Sequence, residues 1–315
     1  MITGHRIRRL LAAPFSRRPH LLQWLRWPNP FRPPYRQKEI NLYRPGELGD
    51  VVMCLAVVSA IRKRNPAARI SFVTKYPTLL EGHPLLDRVL SPEEAERLGL
   101  RRLISLRYEV YIPLQLHLIE YLAACVGLRN IPHQIPLPDF SSEAGALLPL
   151  IPSDRPCVMV CRQAGPFTPN KDWPGERWDA LVARLLRTAT VVELDKKAAA
   201  GRDPNPSPYH FDLRGRTSQR QYCALLGQAD LVLTPLSSAV HVAAAYGVPT
   251  LSVLGGYELP ANSAYPKHVS LARDVACSPC WLRTACPHDL KCLRAITVDE
   301  VFAAAVRLLP ALGPD

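Results

Sequence analysis

An aspartate at the end of a glycine-spaced turn can take a proton. In Arg44-Pro45-Gly46-Glu47-Leu48-Gly49-Asp50-Val51-Val52 the glycines Gly46 and Gly49 let the backbone turn tightly and approach a ligand closely, and Asp50 falls where an apolar helix begins. A carboxylate there serves either as a helix N-cap or as a general base, and the residues alone leave both readings open. The turn is not a dinucleotide fingerprint, because G-x-x-G lacks the G-x-G-x-x-G spacing.

Two further turns carry anion-binding chemistry. Gly165-Pro166-Phe167-Thr168-Pro169-Asn170-Lys171-Asp172-Trp173-Pro174 places Lys171 just before a helix start. There the free N–H groups and the helix dipole attract phosphate and the ammonium adds a full charge. The alternative is a solvated lysine with Trp173 packing on the helix. In Thr234-Pro235-Leu236-Ser237-Ser238-Ala239-Val240-His241 two hydroxyls and the N–H groups of another helix start suit phosphate or sugar hydroxyls, with His241 in the first turn. A plain helix cap with a half-buried histidine is the alternative. The fourth cluster is Cys277-x2-Cys280-x5-Cys286-x5-Cys292, four of nine cysteines in 16 residues. The first pair has knuckle spacing and the second is wider than in a zinc ribbon. Bound zinc or iron, a metal-free Cys-rich loop and disulfides all stay open, with His288 as a spare ligand.

The elements that must position these residues alternate. Strand patterns at Glu39–Arg44, Arg69–Thr74, 87–90 and 107–114 are interleaved with helix patterns at 51–64 and 116–127. A proline-rich stretch, 131–156, reads as a linker. The alternation then restarts with strands at 157–162, 190–194, 231–234 and 250–254, and helices at 174–187, 218–228, 238–246 and 297–309. Thr297 and Glu300 form a capping box for the last helix. Strands alternating with helices predict parallel sheets in two α/β halves, with ligands at the carboxyl ends of the strands and in a cleft between the halves.

Composition sets the class. Of 315 residues, 48% are apolar and 21% charged, which excludes wholesale disorder. The net charge is 39 − 27 = +12, and residues 1–38 hold nine Arg/Lys and no acid, so the remaining chain carries 30 − 27 = +3. The division expected is a basic arm over 1–38, an N-terminal domain over 39–150 and a C-terminal domain over 151–315, the latter including the Cys-rich segment 277–292. Leu21, Leu22, Trp24, Leu25, Trp27 and Phe31 interleave the arm's arginines, a composition suited to an anionic membrane surface. A solvated tail is the alternative, and the near-neutral globule gives little support to nucleic-acid binding. No apolar run reaches the ~18 residues of a membrane span, and no secretion signal is read at the start. Nine cysteines in a chain this long do not make a disulfide scaffold, which predicts a cytoplasmic protein, peripheral on the inner membrane face if the arm docks there.

In this order, the motifs resemble glycosyltransferase family 9, the heptosyltransferases. The resemblance runs from about Ile40 to Leu309. It is carried by Leu48-Gly49-Asp50-Val51-Val52, by Glu81-Gly82-His83-Pro84 with Asp87-Arg88-Val89, and by Lys171-Asp172-Trp173-Pro174 with Arg177-Trp178. Ser237 to His241 with Ala243-Ala244-Ala245 and Gly247-Val248-Pro249, and Cys277-Ser278-Pro279-Cys280 through Cys292, complete it. The resemblance implies a GT-B fold, two Rossmann-like domains with parallel sheets facing a central cleft. It implies inverting transfer of a heptose or related sugar from a nucleotide-sugar, ADP-linked, to a lipopolysaccharide-core-type or other glycan, with no metal required for catalysis. By motif, Asp50 corresponds to the base and Lys171 to the donor-phosphate lysine. Thr168, Ser237, Ser238, His241 and Gly255 correspond to the donor site, and Gly46 and Gly49 to the acceptor-side loop. The chain departs from the family at Leu236, usually Asp, and at Gly255-Gly256-Tyr257-Glu258, usually Gly-Pro-Thr-Asp. It departs again at Asp195-Lys196-Lys197, where a Gly-Gly stretch with a nucleotide-contacting Glu is usual. Leu236 motivates the competing expectation of a degenerate member that binds nucleotide-sugar or glycan without turnover.

Overall fold

The computed structural model describes residues 18–19, 33–197 and 207–313. The chain divides into two compact units, one running through Pro138 and including Ala261–Ser263, the other comprising Asp139–Pro260 and the chain from Ala264. The division falls inside the proline-rich stretch.

In the first unit β1 (Glu39–Arg44) alternates so that Ile40, Leu42 and Arg44 are buried, and β2 (Arg69–Thr74) is buried along all but its first residue. They pair in parallel, with β3 (Arg88–Leu90) outside β2 and β4 (Ile104–Ser105) on the other side of β1, giving the order β3-β2-β1-β4. Strands covered on both faces read as nearly continuous apolar runs, as β2 does. The connection from β1 to β2 is α1 (Leu48–Arg64), whose residues Val51 to Val58 are all buried. A helix apolar on every side belongs inside the fold rather than on its surface. Arg62, Lys63 and Arg64 close its last turn, where cations complement the dipole. The helices α2 (Pro77–Leu80), α3 (Pro92–Arg97) and α4 (Leu118–Ala124) follow. Most of the basic arm lies outside the described residues. Of its end, Pro34 is buried, and the Asn65 side-chain amide donates to the carbonyls of Tyr35 (3.0 Å) and Gln37 (2.9 Å), so this piece is fastened to the end of α1.

In the second unit, among the described residues, β5 (Cys157–Val160), β6 (Thr190–Glu193), β7 (His210–Asp212), β8 (Leu231–Pro235), β9 (Thr250–Gly255) and β10 (His268–Ala272) form one parallel sheet. Its order is β10-β9-β8-β5-β6-β7. The helices are α5 (Gly175–Leu185), α6 (Gln219–Gly227), α7 (Ser238–Tyr246), α8 (Lys291–Arg294) and α9 (Val298–Leu308). Trp178, Leu181, Val182 and Leu185 of α5 pack with Val301, Phe302 and Ala305 of α9 onto the sheet. Each large apolar side chain so buried contributes about 1.5–3 kcal/mol. Thr297 caps α9, its side chain accepting from Glu300 N–H, as the capping-box pattern predicts, and Ser218 caps α6 likewise. Gly247, at φ 69°, ends α7 in the left-handed conformation that glycine adopts without strain.

The strand expected at 107–114 does not form. After the two residues of β4 the chain coils into a 3-10 turn, Glu109–Tyr111. The reason is local: the buried Arg44 guanidinium takes the Leu106 carbonyl and the Glu109 carboxylate, which an extended strand could not both offer. The helix expected at 116–127 is confined to Leu118–Ala124, and α1 starts at Leu48 rather than Val51. The edge strands β7 and β10 add to the strands expected, and β7, with three residues, is too short for an alternation to show.

Candidate functional site

In each sheet the first strand lies between two neighbours reached in opposite directions: β1 between β2 and β4, and β5 between β6 and β8. Loops leaving the carboxyl ends of strands on either side of such a switch point diverge and open a crevice, where open α/β sheets bind ligands. Asp50 follows β1, Lys171 follows β5, and Ser237 and Ser238 follow β8. Every turn singled out for its chemistry therefore stands at a switch point of its own sheet.

In the first unit the centre of the cluster is Arg44, fully buried at the end of β1. Its NH1 donates to the Leu106 carbonyl (2.7 Å) and its NH2 to Glu109 Oε1 (2.8 Å), and NH2 also meets Asp50 Oδ2 at 3.1 Å. The guanidinium lies 4.8 Å from the Tyr108 ring centroid. Burial alone would push its pKa down, but Asp50 and then Glu109 hold it above its ordinary value, so the cation is permanent. Asp50 is not the N-cap. Glu47 is, and Asp50 stands at the third helical position, where Oδ2 accepts from Glu47 N–H (2.8 Å). Its other oxygen, Oδ1, accepts from the Tyr108 hydroxyl (2.8 Å). Burial, and then the Asp50 charge, drive the Tyr108 hydroxyl well above its ordinary range, so it donates at any ordinary pH. The Asp50 side chain keeps 15% of its exposure, enough to present a face outward. Gly46 makes this packing possible: a Cβ there would stand 2.2 Å from Asp50 Oδ2 and 2.5 Å from Arg44 Nε. Gly49 is buried in the first turn of α1.

In the second unit Lys171 ends a 3-10 turn, Pro169–Lys171, capped by Thr168. The Thr168 hydroxyl donates to Leu282 O (2.7 Å), and the Asn170 amide donates to Leu282 O (3.1 Å) and Thr284 O (2.7 Å). The Trp173 indole N–H donates to Ile296 O. Lys171 Nζ forms an ion pair with Glu258 at 2.8 Å and lies 4.7 Å from the Tyr257 ring centroid. Ser237 caps α7, accepting from Ala239 N–H and sharing a hydrogen bond with Thr234 (2.8 Å). Ser238 Oγ meets the Tyr222 hydroxyl at 3.2 Å. His241 is buried, its Nδ1 2.9 Å from the Tyr265 hydroxyl. Leu236 is buried beside this turn. The β5 turn is tied to the end of β6 by Asp195, which accepts from the Arg162 N–H (3.0 Å) and the Gln163 N–H (3.2 Å). Burial pushes the Asp195 carboxyl up to about 7.

The Cys-rich segment supports this turn. Gly255 adopts φ 65°, and a Cβ there would stand 2.8 Å from Leu293; one on Gly256 would stand 2.1 Å from Ser278 Oγ. Backbone bonds run from Cys280 N–H to Gly256 O and from Trp281 N–H to Tyr257 O. Cys277, Cys280, Cys286 and Cys292 are free thiols, all partly exposed. Burial raises the Cys280 thiol, a hydrogen bond from the Leu282 backbone works against this, and Cys292, Cys277 and Cys286 add to the rise. Among the described residues no three His, Cys, Asp or Glu side chains are grouped as a metal site. No helix among them is long and apolar enough to cross a membrane.

The residues that sequence reasoning missed are Tyr108, Glu109, Tyr265 and the pairing of Glu258 with Lys171. Arg44 left a signal: the alternation of β1 puts it on the buried side with Ile40 and Leu42, where a cation needs acids. Nothing in the spacing marks Tyr108 or Glu258, which arrive from distant parts of the chain.

The family model for glycosyltransferase family 9 (heptosyltransferase) matches residues 104–285, more than half of the chain. Lys171, Ser237, Ser238, His241 and Gly255 lie inside the match and Asp50 before it. Among solved structures, a family 9 glycosyl transferase from Veillonella parvula aligns at TM-score 0.65 and 15% identity, over 87% of this chain and 97% of its own. The ADP-heptose lipopolysaccharide heptosyltransferase II of E. coli aligns at 0.65 and 19%, over 87% and 99%. The iron-containing dodecameric glycosyltransferase TibC from enterotoxigenic E. coli H10407 aligns at 0.65 and 18%, over 89% and 77%; TibC has also been solved with ADP-D-β-D-heptose. At these identities the likeness is one of fold, the GT-B class of two parallel-sheet units. No curated protein sequence is significantly similar to the chain.

Proposed function

The chain belongs to glycosyltransferase family 9, and on that premise we propose that it is an inverting transferase moving a heptose or related sugar from an ADP-linked donor to a lipopolysaccharide-core-type glycan. The first unit takes the acceptor and the second the donor. Asp50 accepts the proton of the acceptor hydroxyl, whose oxygen attacks the anomeric carbon. The bond from that carbon to the diphosphate breaks on the opposite face, and its electron pair leaves with ADP. One displacement inverts the centre. Lys171, the Ser237 and Ser238 hydroxyls and the N-terminus of α7 receive the leaving charge. Thr168, His241 and Gly255 complete that site, Thr168 bonded to the Leu282 carbonyl, His241 to the Tyr265 hydroxyl, and Gly255 without room for a side chain beside Leu293.

The observation that carries this reading is Asp50 itself. It is a partly exposed carboxylate at a switch point, with Arg44 and Glu47 N–H on one oxygen and Tyr108 on the other. A carboxylate serving only to cap α1 would need the Glu47 bond and no more. Asp50→Asn retains an oxygen for that cap but loses the basic site. Transfer from ADP-heptose to a core glycan, followed by ADP release, should fall by about 10²–10⁴-fold with ADP affinity unchanged. Turnover near the wild-type rate in this variant removes Asp50 as the base.

Leu236 supports a second reading, a family member that binds nucleotide-sugar without transferring it, because its buried apolar side chain stands where the family usually has Asp. Nucleotide binding by the wild type without ADP release on any core glycan would favour it.

A further inference from the structure

Lys171 ends the β5 turn with one sixth of its side chain exposed, and its ammonium contacts Glu258 Oε1 at 2.8 Å. Glu258 itself is 2% exposed at its side chain and reaches Lys171 from beyond β9, just after the Gly255-Gly256 turn. The pair is fixed from several sides. The Tyr257 ring lies against the ammonium, and the Tyr257 carbonyl is held by Trp281 N–H (3.1 Å). Gly256 cannot carry a side chain without striking Ser278. Asn170, next to Lys171, is bound to the Leu282 and Thr284 carbonyls. Leaving the pair costs Lys171 its contacts with both Glu258 and the Tyr257 ring.

A lysine paired in this way offers a diphosphate no net charge. Its ammonium has further N–H donors to give a phosphate, but the attraction of the cation is cancelled at close range by an anion that an arriving phosphate must face. We propose that Glu258 is an affinity-setting residue of the donor site: it occupies Lys171 in place of a phosphate and so weakens the hold on the nucleoside diphosphate, both as donor and as product. The inference rests on the reading of Lys171 as the donor-phosphate cation. The ligand chemistry is the diphosphate, whichever base is attached.

The test is a calorimetric titration of ADP, GDP and UDP, with adenosine as the uncharged control, into the full-length wild type, Lys171→Ala and Glu258→Gln. Glutamine has the shape of glutamate and keeps an oxygen for the Lys171 hydrogen bond, so only the charge is removed. The nucleotide that binds the wild type should bind Glu258→Gln about tenfold more tightly at low salt, with the gain shrinking as salt rises, while adenosine affinity stays unchanged. Lys171→Ala should weaken the same nucleotide. Unchanged or weaker diphosphate binding in Glu258→Gln, together with weakening in Lys171→Ala, overturns the inference and leaves the reading of Lys171 intact. Unchanged binding in Lys171→Ala, or no binding of any of the three nucleotides to the wild type, overturns that reading and the inference with it. A gain that adenosine shares is a change of shape rather than of charge and also overturns the inference. Should Glu258→Gln fail to fold by circular dichroism, Glu258→Asp, which draws the carboxylate back from the ammonium, must give a smaller gain of the same sign.

Discussion

The turn after β1 and the turn after β5 occupy equivalent places in their sheets, yet charge does opposite work in them. After β1 a fully buried cation, Arg44, gathers two carboxylates, Asp50 and Glu109, so the cluster carries one net negative charge. After β5 a cation at the rim, Lys171, is matched by one buried carboxylate, Glu258, and the pair is neutral. The turns are also fastened differently. Arg44 holds the first with a charge that never titrates, whereas Asp195 holds the second through two backbone N–H bonds with a carboxyl that titrates near neutrality. The first arrangement suits a carboxylate that must be held in place to take a proton. The second suits a site whose ligand brings its own negative charge.

The sharpest way to break the comparison is to remove the permanent cation. Arg44→Met keeps the buried stem but leaves Asp50 and Glu109 facing each other unneutralised. Breaking a buried pair from one side costs about 3–5 kcal/mol, so urea unfolding should show a loss of that order. Where the variant is folded, kcat should fall about 10²-fold through misplacement of Asp50, with the KM for the nucleotide-sugar unchanged. A loss confined to the donor KM would mean that Arg44 does not act through Asp50.

A milder change isolates one contact. Tyr108→Phe removes the hydroxyl from Asp50 Oδ1 and leaves the ring under the Arg44 guanidinium. A hydrogen bond to a charged group of this kind corresponds to about tenfold in rate. The drop should appear in kcat, with the unfolding midpoint close to that of the wild type. Wild-type kcat in Tyr108→Phe would make the contact structural only.

The parallel α/β halves were legible in the sequence because the buried strands are runs of β-branched and apolar residues and the helices carry caps at their starts, as in Ser218 and Thr297. The stretch after β4 was not. Its residues alternate like a strand, and only the demand of Arg44 for two acceptors folds Tyr108 and Glu109 back into a 3-10 turn. The turns that bear Asp50, Lys171 and Ser237 could be read from glycine, lysine and serine next to helix starts. Their partners could not, because Glu109 is 65 residues from Arg44 in sequence and no local pattern couples Glu258 to Lys171. Asp50 shows the limit of a local rule: the segment reads as though the helix begins at Val51, but Glu47 takes the cap and frees Asp50 to face Arg44 and Tyr108.

The smallest expected effect concerns Asp195, and it separates the two fastenings by pH. Desolvation raises its carboxyl to about 7, the Arg162 and Gln163 N–H bonds and Arg214 work in the opposite direction, and Glu193 adds to the rise. The ordinary value of an aspartate, 3.8, applies to the unfolded chain. Between about pH 4 and 7 the folded protein therefore holds a proton that the unfolded chain has released, and stability falls as pH rises through that window. The contribution is complete below the lower value and gone above the higher one. Asp195→Asn carries no charge in either state and lacks this dependence. The stability of the wild type minus that of Asp195→Asn, from urea unfolding, should thus decline from pH 5 to pH 8. The corresponding difference for Tyr108→Phe should stay flat, because the Tyr108 hydroxyl remains protonated throughout. A difference for Asp195→Asn that stays flat from pH 5 to pH 8 would mean that the two N–H bonds outweigh burial and hold Asp195 ionised in the folded protein, making both turns alike in being fastened by a fixed charge.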